Sequence, residues 1–238
     1  MAASDVGAGL VLRPADEGDA DVVAEIQVRA RRGAPMPPAV HDDADVRSWL
    51  AQRLRADEVW VAELDGVPVG YARMTQSWLD DLYVLPAAAG RGVGSVLLDL
   101  VKGLRPHGFC LWVFESNTPA RRFYENHGLL ALERTDGSAN EEHAPDVRMA
   151  WPGADPLAFL RGLIDEVDGQ LGDLLARRVA LTGAVQAYKS DIGRDARRER
   201  DIAEAMARHA PELGPERLGR IMDAVITESL DATASIRD

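Results

Sequence analysis

An α/β domain followed by an all-helical domain is what this sequence predicts, and three observations carry that expectation. Up to Trp151, short β-type runs alternate with segments of helical period; past Trp151 the β-type runs stop. From Leu157 onward, apolar residues recur in three-four steps over about nine turns of helix. A length of 238 residues suits two modest domains, and 46% hydrophobic beside 28% charged residues is the composition of a chain that buries real cores.

In the first half, Val59 to Leu64, Asp65-Gly66 and Val67 to Ala72 read as strand, tight turn and strand. Leu79 to Leu85 and Phe109 to Phe114 are further strands, and Val147 to Trp151 closes the set. Helices are expected over Asp21–Arg31, Asp45–Arg55, Gly94–Gly103 and Pro119–His127, with a polar loop over 137–145. The expected boundaries are 10–152 for the first domain, 153–156 for a linker and 157–238 for the second. Asp155-Pro156 supplies an N-cap and a first-turn proline. The long helix follows through Leu157, Leu160, Ile164, Val167, Leu171, Leu174, Arg178, Leu181, Val185 and Tyr188, with Gly193 expected to stop it. Two shorter helices are expected over Asp195–His209 and from Pro215 to about Ile236.

A net charge of -12 argues against nucleic acid or an anionic membrane as partner, so any anion must meet a local positive cluster. The lone cysteine, Cys110, sits in an apolar run, which leaves no intrachain disulfide and no cysteine-based metal site; no metal is expected. With no basic-then-apolar start and no apolar stretch of about 18 residues, the expected compartment is the cytosol. Of the 27 basic residues only Lys102 and Lys189 are lysines, which singles both out.

Leu82-Tyr83-Val84-Leu85-Pro86 runs into Gly90-Arg91-Gly92-Val93-Gly94-Ser95 and then an apolar helical segment. Glycines let backbone approach an anion, and a helix start favours negative charge. A second motif, Glu115-Ser116-Asn117-Thr118-Pro119-Ala120-Arg121-Arg122-Phe123-Tyr124-Glu125-Asn126-His127-Gly128, lies about one strand further on. The two in this order resemble the GNAT family of acetyltransferases over roughly Leu10 to Trp151. The resemblance implies a mixed, mostly antiparallel sheet, acetyl-CoA as co-substrate and an amine acceptor of unknown identity. It places Leu82, Tyr83 and Val84 along the pantetheine arm. Arg91, Gly92, Val93, Gly94 and Ser95 would hold the pyrophosphate, with Asn117 a polar contact to the arm and Tyr124 the proton donor to the leaving thiolate. Ala89 departs from the family, which usually carries Gln or Arg there. Asp80 and Asp81 are candidate bases, and simple strand alternation points them to opposite faces, so that at most one faces the acceptor. An ordinary packed aromatic at Tyr124 and a solvated acidic pair are the plain alternatives.

In the second half, Arg178 occupies a position that leucine or valine fills in most other turns, and an unpaired guanidinium there is costly. Lys189, 11 residues on, falls within about 20° of the same face and roughly 16 Å along it. Arg161 stands about 25 Å from Arg178 and about 100° around the helix, so one small ligand reaches both only if Arg161 comes from a second, antiparallel chain. Leu160-Arg161, Asp168, Arg178, Lys189 and Asp195-Ala196-Arg197-Arg198-Glu199 closely resemble the helical, AroQ-type chorismate mutases from Pro156 to the end. That family is an intertwined helical dimer and needs no cofactor, since chorismate to prephenate is a unimolecular rearrangement.

By resemblance, Arg178 and the second chain's Arg161 take the two substrate carboxylates with Arg198 in support, Lys189 donates to the ether oxygen, and Glu199 accepts from the ring hydroxyl with Asp195 nearby. A planar guanidinium fork suits a carboxylate, and partial negative charge on the ether oxygen needs a donor. Ser229 matches a family site serine; Thr233 stands where relatives carry Gln or Glu. A surface ion pair between Arg198 and Glu199 is the plain alternative. The expected partners are chorismate, acetyl-CoA, an amine and a second copy of the chain. Two rival readings are kept: 4-amino-4-deoxychorismate as the rear substrate, and a weakly active dimerisation or metabolite-sensing module attached to the acetyltransferase.

Overall fold

The computed structural model describes residues 9–186, 188 and 194–235, and they fall into two compact units dividing between Leu160 and Arg161. In the first unit the order is β1 (Leu10–Pro14), α1 (Ala20–Arg32), α2 (Asp43–Ala56), β2 (Glu58–Leu64), β3 (Val67–Thr75), β4 (Trp78–Val84), α3 (Val93–Leu104), β5 (Phe109–Phe114), α4 (Thr118–Asn126), β6 (Leu130–Thr135) and β7 (Asp146–Trp151). α5 (Pro156–Gln186) begins at the end of this unit and runs into the second, which adds α6 (Ala196–Ala207) and α7 (Gly214–Ser235).

The seven strands form one mixed sheet in the order β1-β2-β3-β4-β5-β7-β6. β2 and β3 pair antiparallel through the Asp65-Gly66 turn, with φ of 52° and 77°, the left-handed values a two-residue hairpin requires. Alternation distributes side chains to two cores. Val59 and Val61 of β2 and Tyr71 of β3 pack with Val23, Ile26 and Leu50 of α1 and α2. Ala62, Ala72, Leu111, Val147 and Met149 pack on the opposite face with Leu97, Leu98 and Val101 of α3.

β4 and β5 are the one parallel pair, and they share a single pairing, Trp78 with Cys110, beside a Cys110 N–H to Ser77 carbonyl bond of 2.9 Å. Beyond that point the two strands diverge, opening a cleft in the middle of the sheet. Every other neighbouring pair is antiparallel over five or more positions.

In the second unit Asp195 caps α6, accepting from the backbone N–H groups of Arg197 and Arg198 at 3.0 Å each. α6 and α7 pack through Ala203 and Leu218, both buried. α5 buries none of its residues: Leu157, Ile164, Val167, Leu171, Leu174, Leu181 and Val185 are all between 51% and 61% exposed. A continuous apolar stripe on a 31-residue helix is thus open in the single chain.

Candidate active sites

The front site is made by the splay of β4 from β5. Leu82, Tyr83, Val84, Arg91, Gly92, Gly94, Ser95 and Asn117 line a groove of about 950 Å³ that also takes in Ala89, Gly90 and Phe123. Gly90 and Gly92 have φ of +75° and +83°, and Gly92 is the N-cap of α3 with no side-chain cap, so the first N–H groups of that helix face the groove without a side-chain acceptor. Val93 differs from the expectation for the loop: its side chain is buried in the core at 1% exposure, and the residue does not line the groove. Ser95 does not present a free hydroxyl either. Its Oγ meets His127 Nε2 at 2.9 Å, while His127 Nδ1 donates to the Phe123 carbonyl at 2.7 Å. The carbonyl can only accept, so Nδ1 carries the proton of that bond.

A second cavity of about 490 Å³ lies in the cleft and shares Leu82, Tyr83, Asn117 and Ala120 with the groove. Tyr124 lines it, its side chain buried beside Phe123, and burial raises its phenol above the ordinary value, so it stays protonated at neutral pH. Tyr83 is likewise pushed up to about 12 by burial. Asn117 serves as N-cap of α4, its Oδ1 accepting from the Ala120 N–H at 3.3 Å.

The two aspartates correct a simple alternating reading. Arg73 of β3 pairs with Asp81 and Met74 with Leu79, so a bulge leaves Asp80 outside the ladder, and both aspartates line the same cavity. They differ in partner rather than in face. Asp81 is buried against Arg73 Nε at 2.5 Å, and the same guanidinium holds Asp57 at 2.7 Å and stacks 4.7 Å from the Trp49 ring. Burial raises the Asp81 carboxyl by desolvating its charged form, and the neighbouring Asp80 adds to this, while Arg73 pulls the other way. Asp80 is more open, 27% exposed, 3.9 Å from Arg73, and accepts from Thr75 Oγ1 at 2.9 Å. Sequence reasoning missed the cavity's other wall, where Arg31 of α1 pairs with Glu142 at 2.5 Å from the polar loop before β7. No local pattern links residues 111 positions apart.

The rear site is smaller. Arg178, Asp195, Arg198 and Glu199 line a cavity of about 240 Å³ together with Leu181, Val185, Ile202, Ile226 and Leu230. Arg178 donates from Nη1 to Ser229 Oγ at 2.6 Å and to the Val225 carbonyl at 3.2 Å; no carboxylate among the described residues pairs with it. Ser229 is buried, donates to the Val225 carbonyl at 2.6 Å and props Arg178 rather than lining the cavity. Thr233 is buried as well, its hydroxyl donating to the Leu230 carbonyl at 2.8 Å, turned away from the role of a donor to a ligand. Asp195 spends its carboxylate on the α6 cap.

Glu199 pairs with Arg194, not with Arg198: Nε to Oε1 and Nη2 to Oε2 are both 2.8 Å, and this pair holds Glu199 below the usual carboxylate range. Arg194 was not singled out by sequence reasoning, one arginine in an arginine-rich stretch. Arg161 is exposed and does not line the cavity, about 25 Å along α5 from Arg178. Lys189 and Gly193 lie outside the described residues.

Two family models match the chain: the Acetyltransferase (GNAT) family over residues 24–129 and Chorismate mutase type II over residues 160–233. An uncharacterised N-acetyltransferase of Archaeoglobus fulgidus is 32% identical in an alignment of 148 residues that covers 55% of this chain and 99% of that protein. The peptidyl-lysine N-acetyltransferase YiaC of Escherichia coli is 32% identical over 94 residues, 39% of this chain and 62% of that protein. Among solved structures, a GCN5-related N-acetyltransferase from Rhodopseudomonas palustris superposes with a TM-score of 0.53 at 27% identity, covering 61% of this chain and 96% of that one. The chain therefore belongs to the GNAT acetyltransferase family through its front half, and residues 160–233 match the type II chorismate mutase model.

Proposed function

We propose a bifunctional enzyme: an acetyl-CoA-dependent N-acetyltransferase in front and a chorismate mutase behind, the latter completed by a second copy of the chain. In front, the supporting observation is that the two cavities meet at Leu82, Tyr83, Asn117 and Ala120, so a long ligand in the groove ends beside Tyr124. Leu82, Tyr83 and Val84 would line the arm of acetyl-CoA, and the N–H groups from Val93 to Ser95 would take the pyrophosphate. An amine nitrogen attacks the thioester carbonyl, the carbon–sulfur bond breaks, and Tyr124 protonates the departing sulfur. Asp80, the more open of the two aspartates, accepts the amine proton directly or through water.

At the rear, the supporting observation is that Arg178 pairs, among the described residues, with neutral groups only, while the carboxylates of its cavity are engaged elsewhere, Glu199 by Arg194 and Asp195 by the α6 cap. A substrate carboxylate supplies what the guanidinium lacks, bound by its free Nε and Nη2 edge. Arg198 supports it, Lys189 donates to the ether oxygen, and Glu199 accepts from the ring hydroxyl. The open apolar stripe of α5 favours an antiparallel second chain, which would bring its Arg161 to the other carboxylate. The Thr233 hydroxyl, occupied by the Leu230 carbonyl, favours one alternative, a rear module that binds the metabolite and converts it slowly.

Two assays on the purified full-length chain test the reading. Loss of chorismate absorbance with appearance of prephenate is expected, as is release of free thiol from acetyl-CoA when an amine is supplied. Chorismate binding without turnover would establish the sensing module instead, and no binding of acetyl-CoA would leave the front half without its activity.

A further inference from the structure

The rear cavity contains one arginine whose bonding differs from that of its neighbours. Arg194 donates to Glu199 through Nε and Nη2, to Asp223 Oδ1 through Nη2 at 2.5 Å and to Thr227 Oγ1 through Nη1 at 3.1 Å. Four of its five N–H groups are therefore spent on the protein itself. Arg178, in the same cavity, uses only Nη1 among the described residues. An arginine so occupied has little left for a ligand, but both oxygens of Glu199 are seated by it, and its contacts to α7 fix where that seat lies.

We infer that Arg194 is a positioning residue of the mutase site, acting through Glu199 by clamping its carboxylate in the cavity opposite Arg178. The inference rests on the mutase reading. A carboxylate facing a ring hydroxyl accepts most strongly when ionised, and free rotation about its three side-chain torsions would waste most orientations. Arg194 meets both needs. The charged groups that share a cavity or a contact with Glu199 are Arg194, Asp195, Arg198, Arg200 and Glu204 from its own stretch of chain, Glu216 and Asp223 on α7 and Arg178 on α5. Hydrogen bonding from Arg194 lowers the Glu199 carboxyl, whereas Asp223 and Asp195 raise it. Taking Arg194 away thus leaves Glu199 beside two like charges, and its titration moves up in pH.

Steady-state chorismate turnover against pH, with R194A, R194K, E199Q and the R194A/E199Q double variant in the full chain, tests this. R194A is expected to lower kcat about 10- to 100-fold with little change in KM. The acid limb of its kcat profile should also move to higher pH, a displacement that a merely structural role would not produce. R194K, which keeps the charge but not the fork, should restore part of both. Because Arg194 acts through Glu199, the double variant should be no slower than E199Q alone. Additive losses, or an unmoved acid limb in R194A, overturn the proposal while leaving the mutase reading intact. Should R194A lose helical content, R194K against E199Q decides by the same two readouts. A wild-type chain that leaves chorismate unchanged overturns the mutase reading and this proposal with it.

Discussion

In the front unit, a groove of about 950 Å³ and a cleft of about 490 Å³ are walled by one chain, and the buried arginine there, Arg73, is matched by carboxylates. In the rear unit, the cavity is about 240 Å³, Arg178 meets only neutral groups among the described residues, and the longest helix buries none of its side chains. The first arrangement is complete in its charge and its packing; the second is short of an anion and of an apolar partner. An α/β domain closes a core between sheet and helices on its own, while a helix with a stripe has to find another helix to cover it. The two halves should therefore respond differently to the same kinds of perturbation.

The largest effect is expected at Arg178. Arg178→Ala should lower chorismate turnover about 10³-fold, with acetyl transfer unchanged and with the same sedimentation behaviour as the parent. Normal turnover would remove the charge argument for the rear site. Next comes Tyr124→Phe, expected to reduce kcat for acetyl transfer about 10²-fold while acetyl-CoA binding, followed by calorimetry, is retained. Equal loss of binding would mean a packing role.

Leu174→Glu, on the open stripe, should weaken self-association about 10- to 100-fold through loss of one seated leucine. Chorismate turnover per chain should then fall on dilution, whereas acetyl transfer per chain should not. A smaller effect is expected at Asp19, which Arg13 grips at 2.6 and 2.7 Å with its own carboxyl pulled below the ordinary value by that hydrogen bonding. Its stabilising effect is present above the unfolded carboxyl value near 3.9 and disappears as pH falls through the lower folded value. Asp19→Asn should cost about 1 kcal/mol at pH 7 in the front domain's thermal transition. The difference should shrink as pH falls below about 4.

Much of this division was legible in residue order. The Asp65-Gly66 hairpin, the glycine turn before α3, the proline start of α5 and its three-four stripe are local patterns, and local patterns survive in sequence. β6, Leu130 to Thr135, was missed because an exposed edge strand has no alternation to display; five of its six residues are exposed. The bulge at Asp80 escaped for a related reason, since strand period is readable but an inserted residue is visible only against the partner strand. Long-range polar contacts were the other loss: Arg31 with Glu142, Arg73 with Asp57, and Arg194 with Asp223 join residues that no spacing rule connects. Arg178 stood out by being in the wrong place on an apolar face, whereas Arg194 sat in ordinary polar company.

The parting of β4 from β5 after Trp78 and Cys110 has one more consequence. Most sheets keep their bare edges at the periphery, where lysines or prolines discourage another polypeptide from zippering on. Here a bare edge is created in the interior of the sheet, flanked by Asp80 and Asp81. Its shelter comes from its location, and its charge makes it an unwelcoming template for a stray strand. A hydrogen-bonding rail can thus remain open in a folded chain without inviting aggregation.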